Sequence, residues 1–311
     1  MTPAELRART KRAVQAAVAA ARELGLDVGE PVVLHDVFSV VVHLAPLPVV
    51  VRVPVVLPQP LRGAALVARQ QREIDVVRWL ARRGVAVVAP SSLVPANPIQ
   101  RDGYSMTFWE LAEASEEHVP YGPGDSGRVV KLHAVVRDYP AEGLAFLSPV
   151  NAVVPALLES LAATPELISA SDLDRARREW EVLEPVLGSR EGFEALFPET
   201  PVQAVHGDAP SYNIILTRSG PRFADFEDVT CGPVEWDLAG GIPEDVENYN
   251  REARRLGLRP LDPAVLRVMT TARMLQLVAA FALVPELPVL AEGLRPALEA
   301  WRAMPLAGGI G

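Results

Sequence analysis

The chain of 311 residues carries a single cysteine, Cys231, so no disulfide can close within it, and this usage fits a reducing compartment. Lysine is almost missing as well. Lys11 and Lys131 stand against 28 arginines in a Lys+Arg total of 30. Basic residues are outnumbered by 39 Asp+Glu, a net charge of −9, which argues against a nucleic-acid partner. Long apolar runs are also lacking. The most apolar stretch, "VVVHLAPLPVVVRVPVVL", is broken by three prolines, a His and an Arg, so neither a membrane-spanning helix nor a membrane partner is expected. The start, "MTPAELRARTKRAVQAAVAA", is charged throughout and lacks the apolar centre of a secretory signal, which makes the cytoplasm the expected location. What remains is 49% apolar and 22% charged: a globular composition, at a length that favours two lobes over one.

Residues 3–24 place apolar side chains at helical spacing and stop at Gly25. From 31 to 57 the texture turns β-branched and predicts two strands joined near Pro46–Pro48. Residues 63–84 read as a helix with a glycine stop, followed by strands at "VAVVAP" and "YSMTFWELAE", the second preceded by the hairpin signal Asp102–Gly103. Helical patterns dominate the remainder, at 125–138, 150–163, 171–187, 243–256, 262–284 and 287–303. A β-rich island interrupts them with "QAVH", "YNIILT", a Ser219–Gly220 turn and "RFADF". The Gly/Pro-rich stretch "VPYGPGDSG" suggests a lobe boundary near 111–125.

That island, "VHGDAPSYNIILTRSGPRFADFED" (205–228), crowds four carboxylates, Asp208, Asp225, Glu227 and Asp228, into otherwise mostly apolar chain. Burying an unpaired carboxylate is costly, so the cluster needs a purpose. The spacing H-x-D-x-x-x-x-N across His206, Asp208 and Asn213 is that of a kinase catalytic loop. There the Asp accepts the proton of an attacking hydroxyl and the Asn amide oxygen ligates a metal. Asp225, beyond the hairpin, can face the same ion. One carboxylate, one amide oxygen and nucleotide phosphates suit Mg²⁺, whereas zinc would want more His and Cys than His206 alone supplies. The plain alternative is that these are turn and strand-end residues.

The string "HGDAPSYNIIL…FADFEDVTCGPVEWDLAG" resembles the aminoglycoside phosphotransferase and choline kinase-like family, small-molecule kinases whose fold is similar to that of protein kinases. The family's three blocks, H-G-D-x-x-x-x-N, Asp-aromatic-Glu and G-P-x-x-W-D-L-A, occur here in order. The resemblance implies that Asp208 is the catalytic base and His206 a support of its loop. It implies Asn213 and Asp225 as the magnesium ligands, and Asp237 as a brace of the loop, where the plain reading is a helix N-cap. Glu227 would reach a second metal or the substrate, or simply end a strand in solvent. "RVVKLHAV" is similar to the family's Leu-His helix, with His133 read as a core histidine. "FWELA" resembles the interlobe hinge, where the backbone of Trp109, Glu110 and Leu111 would bond adenine. "QREIDVVRWLARRG" places Glu73 where the family's clamping glutamate belongs.

Two departures stand out. No lysine lies on a suitable strand; Arg52 in "VVVRVP" takes the clamping position, able to pair with Glu73 and with phosphate. The Gly-rich phosphate loop is also missing: "HDVFSVVVHLAP" holds no glycine, and Ser39 would supply a hydroxyl instead. The resulting expectation is an α+β chain with a bilobal protein-kinase-like fold, an N-terminal antiparallel sheet plus helix and a larger helical C-terminal lobe with a catalytic β-hairpin. Residues 1–112 would form the nucleotide-clamping lobe and 113–311 the catalytic and acceptor-binding lobe. The expected reaction moves the γ-phosphate of ATP or GTP, with Mg²⁺, to the hydroxyl of a small-molecule acceptor, an aminoglycoside or related amino sugar. Another metabolite (a choline-like alcohol, a sugar, a macrolide) and an inactive nucleotide-binding protein of the same fold are the alternatives. Glu235, Glu244, Asp245 and Glu247 could receive acceptor ammonium groups or be solvated helix faces.

Overall fold

Thr2 opens the first helix, α1 (Pro3–Glu23): its hydroxyl accepts from the Glu5 amide while the Glu5 carboxylate accepts from the Thr2 amide, with Pro3 in the first turn. Ala13, Ala16, Ala17, Ala20 and Ala21 form one fully buried face, and their small side chains let the helix lie close on Val40, Val42, Val51, Val53 and Met106 of a sheet. In this computed structural model, which describes residues 1–119 and 125–310, the sheet comprises β1 (Val32–Asp36), β2 (Ser39–His43), β3 (Val49–Pro54), β4 (Ile99–Arg101) and β5 (Tyr104–Glu110). All are antiparallel, in the order β1-β2-β3-β5-β4, with α2 (Ala64–Ala81) between β3 and β4 in the chain.

Three details differ from the sequence reading. The β-branched run at 31–57 makes three strands rather than two, because the chain also reverses at Val37–Phe38, where no glycine or proline marks a turn. "VAVVAP" is not a strand: its Ala86 carbonyl and Val88 amide bond Phe223, and its other pairing is the bridge of Pro90 to Trp109. The arm that answers β5 is instead the short β4, joined to it through Asp102 and Gly103, both at positive φ (48° and 81°) as a primed hairpin turn demands.

The helical part runs α3 (Ser126–Val136), α4 (Ser148–Asn151), α5 (Val154–Ala162), α6 (Ala170–Leu187) and α7 (Arg190–Leu196). Then come β6 (Gln203–Val205), β7 (Ile214–Thr217), β8 (Gly220–Phe223) and β9 (Thr230–Gly232), followed by α8 (Pro243–Arg255), α9 (Pro263–Ala279) and α10 (Leu290–Ala303). Prolines 149 and 155 each begin a helix, which splits the single helix expected at 150–163. β6 pairs with β9, and β7 with β8. By compactness the chain forms two units: Met1–His118 with Ile215–Phe223 and Pro285–Pro288, and Val119–Ile214 with Ala224–Val284 and Val289–Gly311. The Gly/Pro-rich stretch expected to mark a boundary falls largely on 120–124, outside the described residues. Among the described residues one helical stretch, Pro263–Leu283, is long and apolar enough to cross a membrane, and 61% of its apolar window is buried inside the protein. Its inward face, Val265, Val268, Met269, Ala272, Leu275 and Val278, is core of the second unit.

Candidate active site

β6 delivers the chain into the loop 206–213, whose His206, Gly207, Asp208 and Asn213 are held by hydrogen bonds to their surroundings. His206 is fully buried. Its Nε2 donates to the Ala224 carbonyl at 2.9 Å, which leaves Nδ1 as acceptor for the Asp208 amide at 3.4 Å. Its ring packs on Phe226 with centroids 4.5 Å apart. With both nitrogens on backbone groups and no solvent contact, His206 positions the loop and has no free nitrogen to move a proton. Gly207 has φ +95°, and a Cβ at this residue would sit 1.8 Å from the Asp228 carbonyl oxygen, so no other residue type fits.

Asp237 organises the loop from below. It lies in a 3₁₀ turn, Val234–Leu238, and caps no helix, contrary to the plain reading. Its Oδ2 accepts the His206 amide and His133 Nε2, both at 2.9 Å, and its Oδ1 accepts the Gly207 amide at 2.7 Å. Burial alone would raise this carboxyl, but the hydrogen bond and charge of His133, with His206 and the Gly207 amide, hold it below the ordinary carboxylate value. His133 Nδ1 meets the Tyr249 hydroxyl at 2.9 Å, and burial with the nearby Glu235 and Asp237 pushes that phenol up, keeping it protonated. His133 is thus the buried helix-face histidine the sequence suggested, with the added task of fixing Asp237.

Asn213 closes a 3₁₀ turn, Pro210–Asn213. Its Nδ2 donates to the Asp208 carbonyl at 2.7 Å, which turns Oδ1 away as an available oxygen donor. The Asn213 carbonyl accepts the Ala224 amide at 2.9 Å, bringing the residue beside Asp225, itself in left-handed backbone at φ 63°. Among the described residues no three His, Cys, Asp or Glu side chains gather to hold a metal by themselves. The Asn213 amide oxygen and the Asp225 carboxylate are hard oxygen groups, of the kind magnesium accepts alongside phosphates and water. Glu227 and Asp228 follow Phe226 in a partly buried 3₁₀ turn.

In the first unit Arg52 sits mid-strand on β3, opposite Val41 and Thr107, and forms an ion pair with Glu73 of α2. Both are buried, at 9% and 2% exposure, so Arg52 is no edge-strand arginine pointing to water. Ser39 is buried at the start of β2. Two backbone groups of the 109–111 segment are engaged within the chain. The Glu110 amide bonds the Ala89 carbonyl at 2.9 Å and the Leu111 amide bonds the Pro48 carbonyl at 3.0 Å. Trp109 is buried, its indole donating to Thr107 Oγ1 at 2.8 Å.

The profile of the phosphotransferase enzyme family matches residues 8–267. The chain belongs to that family. It is a phosphotransferase, and the resemblance read from residues 206–240 is borne out. No curated protein matches it in sequence. Solved structures match over nearly the whole chain. A microcompartment-associated aminopropanol kinase shares 14% identity over 95% of this chain and 99% of its own, with a TM-score of 0.56. The GDP complex of aminoglycoside 2′-phosphotransferase-IIIa shares 13% over 93% and 98%, at 0.60. A choline/ethanolamine kinase family protein from Mesorhizobium loti shares 18% over 97% and 100%, at 0.59. At such identities the likeness is one of fold.

Two features of this phosphotransferase escaped the sequence reading. Glu235 is fully buried, accepts from both terminal nitrogens of Arg259 at 2.7 and 3.1 Å and from the Asp262 amide at 2.7 Å. It is a structural anchor, neither an ammonium receptor nor a solvated side chain. Arg273 of α9 places Nη1 3.4 Å from Asp208 Oδ1 and Nη2 3.1 Å from the Gly207 carbonyl. No local pattern could flag it, because an arginine in an apolar helix 65 residues downstream carries no motif.

Proposed function

We propose that this phosphotransferase moves the γ-phosphoryl group of ATP or GTP to a hydroxyl of a small amino alcohol, an aminoglycoside or related amino sugar being the leading candidate. The observation that carries the reading is the Asp208 loop. Its carboxylate is about half exposed (48%) while the groups around it are immobilised by His206, Asp237 and Asn213. Such an arrangement suits a base that must meet an incoming hydroxyl in one orientation. The GDP bound in the aminoglycoside enzyme supports a nucleotide donor. The compounds in the neighbours' names (aminopropanol, choline or ethanolamine, aminoglycoside) share a cationic nitrogen near a hydroxyl, which supports an amino-alcohol acceptor. Of the acidic residues considered for that nitrogen, Glu244 and Glu247 are exposed on α8, and Asp245 is buried beneath them. Nothing in the reading calls for a membrane or a nucleic acid, and the cytoplasm suits it.

In the proposed reaction the acceptor O–H gives its proton to the Asp208 carboxylate as its oxygen attacks the γ-phosphorus. The bond from that phosphorus to the bridging oxygen breaks, and the nucleoside diphosphate leaves. Arg52, held by Glu73, offers its cation to nucleotide phosphate in the role usually taken by lysine. When bound, magnesium would be held by Asn213 and Asp225 and would neutralise phosphate charge.

The test is ADP or GDP release from Mg·ATP and Mg·GTP against aminoglycosides, amino sugars, sugars and amino alcohols, with Asp208→Asn alongside. Acceptor-dependent release that falls at least about 100-fold in Asp208→Asn, with nucleotide binding kept, supports the reading. Normal turnover in that variant removes Asp208 as the base. Release that needs no acceptor would point to a phosphohydrolase, and nucleotide binding without turnover to an inactive binder.

A further inference from the structure

The loop "HGDAPSYN" contains no cation of its own, and the position two beyond Asp208 is Pro210. A cation is nevertheless delivered to it. Arg273, 9% exposed, lays its guanidinium over the Trp236 ring at 4.0 Å. Nη1 donates to Gln276 Oε1 at 2.9 Å and reaches Asp208 Oδ1 at 3.4 Å, while Nη2 donates to the Gly207 carbonyl at 3.1 Å. Gln276 is oriented in turn by its Nε2 bond to the Pro149 carbonyl at 2.9 Å, and Trp236 by its indole bond to the same Gly207 carbonyl at 2.8 Å. The planar fork is held on its face and its edge, so its direction toward Asp208 is set before any ligand arrives.

We infer that Arg273 is a positioning residue for phosphoryl transfer: it engages Asp208 through Oδ1 and thereby presents Oδ2 to the acceptor hydroxyl. This rests on Asp208 being the base. The residue acts through the carboxylate's orientation, so its loss affects the chemical step and not the affinity for either substrate.

The experiment compares steady-state kinetics and melting temperature of wild type, Arg273→Lys and Arg273→Gln, using the acceptor that gives ADP or GDP release. Arg273→Gln should lower kcat roughly 10- to 100-fold while KM for nucleotide and acceptor stays within about twofold. Arg273→Lys, which keeps the charge but not the fork, should recover part of that loss. Gln276→Leu, which releases one edge of the guanidinium and leaves its stacking intact, should lower kcat about threefold and serves if the Arg273 variants do not fold. Equal kcat losses in Lys and Gln variants that track their melting temperatures would overturn the inference and leave Arg273 a structural residue. An unchanged kcat in Arg273→Gln, or in Gln276→Leu where that variant must stand in, would overturn it as well. If wild type shows no acceptor-dependent turnover, the phosphotransfer reading falls first and this inference with it.

Discussion

The two units each bury a carboxylate next to the groups expected to do chemistry, and they satisfy it in opposite ways. In the first, Glu73 on α2 meets the side-chain cation of Arg52 on β3. In the second, Asp237 meets mostly backbone and ring N–H donors: the amides of His206 and Gly207 and the Nε2 of His133. The first arrangement rests on a side-chain charge pair, which either an arginine or a lysine on that strand could supply. The second needs a particular path of the main chain. Charge pairing tolerates substitution; a loop defined by its own amides does not.

The sharpest way to break this contrast is Gly207→Ala. Its Cβ would meet the Asp228 carbonyl at 1.8 Å in left-handed backbone, so the loop cannot keep its path. Denaturant unfolding should show a loss of about 4 kcal/mol or more, with activity gone. Retention of wild-type stability would mean the loop has an alternative path. The clamp should be more forgiving. Arg52→Met strips Glu73 of that cation and should cost about 3 kcal/mol with a much higher KM for nucleotide, while Arg52→Lys should restore most of both. A lysine variant as impaired as the methionine one would show that the fork geometry, and not the charge, is what this position needs.

The smallest effect is read from pH. The folded-state pKa of Asp237 lies below its unfolded value, so its contribution to stability is present above about pH 4 and is lost as pH falls through the folded value. Unfolding free energies measured from pH 7 downward should therefore fall more steeply for wild type than for Asp237→Asn, whose amide does not titrate. Parallel slopes would place the acid sensitivity in other carboxylates.

Much of the candidate site was legible as a cluster because it is local. The spacing of His206, Asp208 and Asn213, the hairpin carrying Asp225, and the block ending in Trp236 and Asp237 lie within one short span, where hydrogen-bonding roles follow from residue type and separation. Helices with a regular apolar face, such as α1 and α9, were legible for the same reason. The β1–β2 reversal was not, since no turn residue marks it, nor was the pairing of "VAVVAP" with a phenylalanine far along the chain. The bonds of the Glu110 and Leu111 amides to Ala89 and Pro48 were not legible either, since their partners lie far away along the chain.

By itself the sequence determined the family, because the motif blocks that mark it depend on residue identity at short range. The tertiary structure alone decided that Glu235 is spent on Arg259, that His206 is fully engaged with backbone, and that Arg273 comes to lie beside Asp208. Those outcomes depend on which helix packs against which loop, and such packing is set by burial of distant apolar faces, which no local pattern encodes.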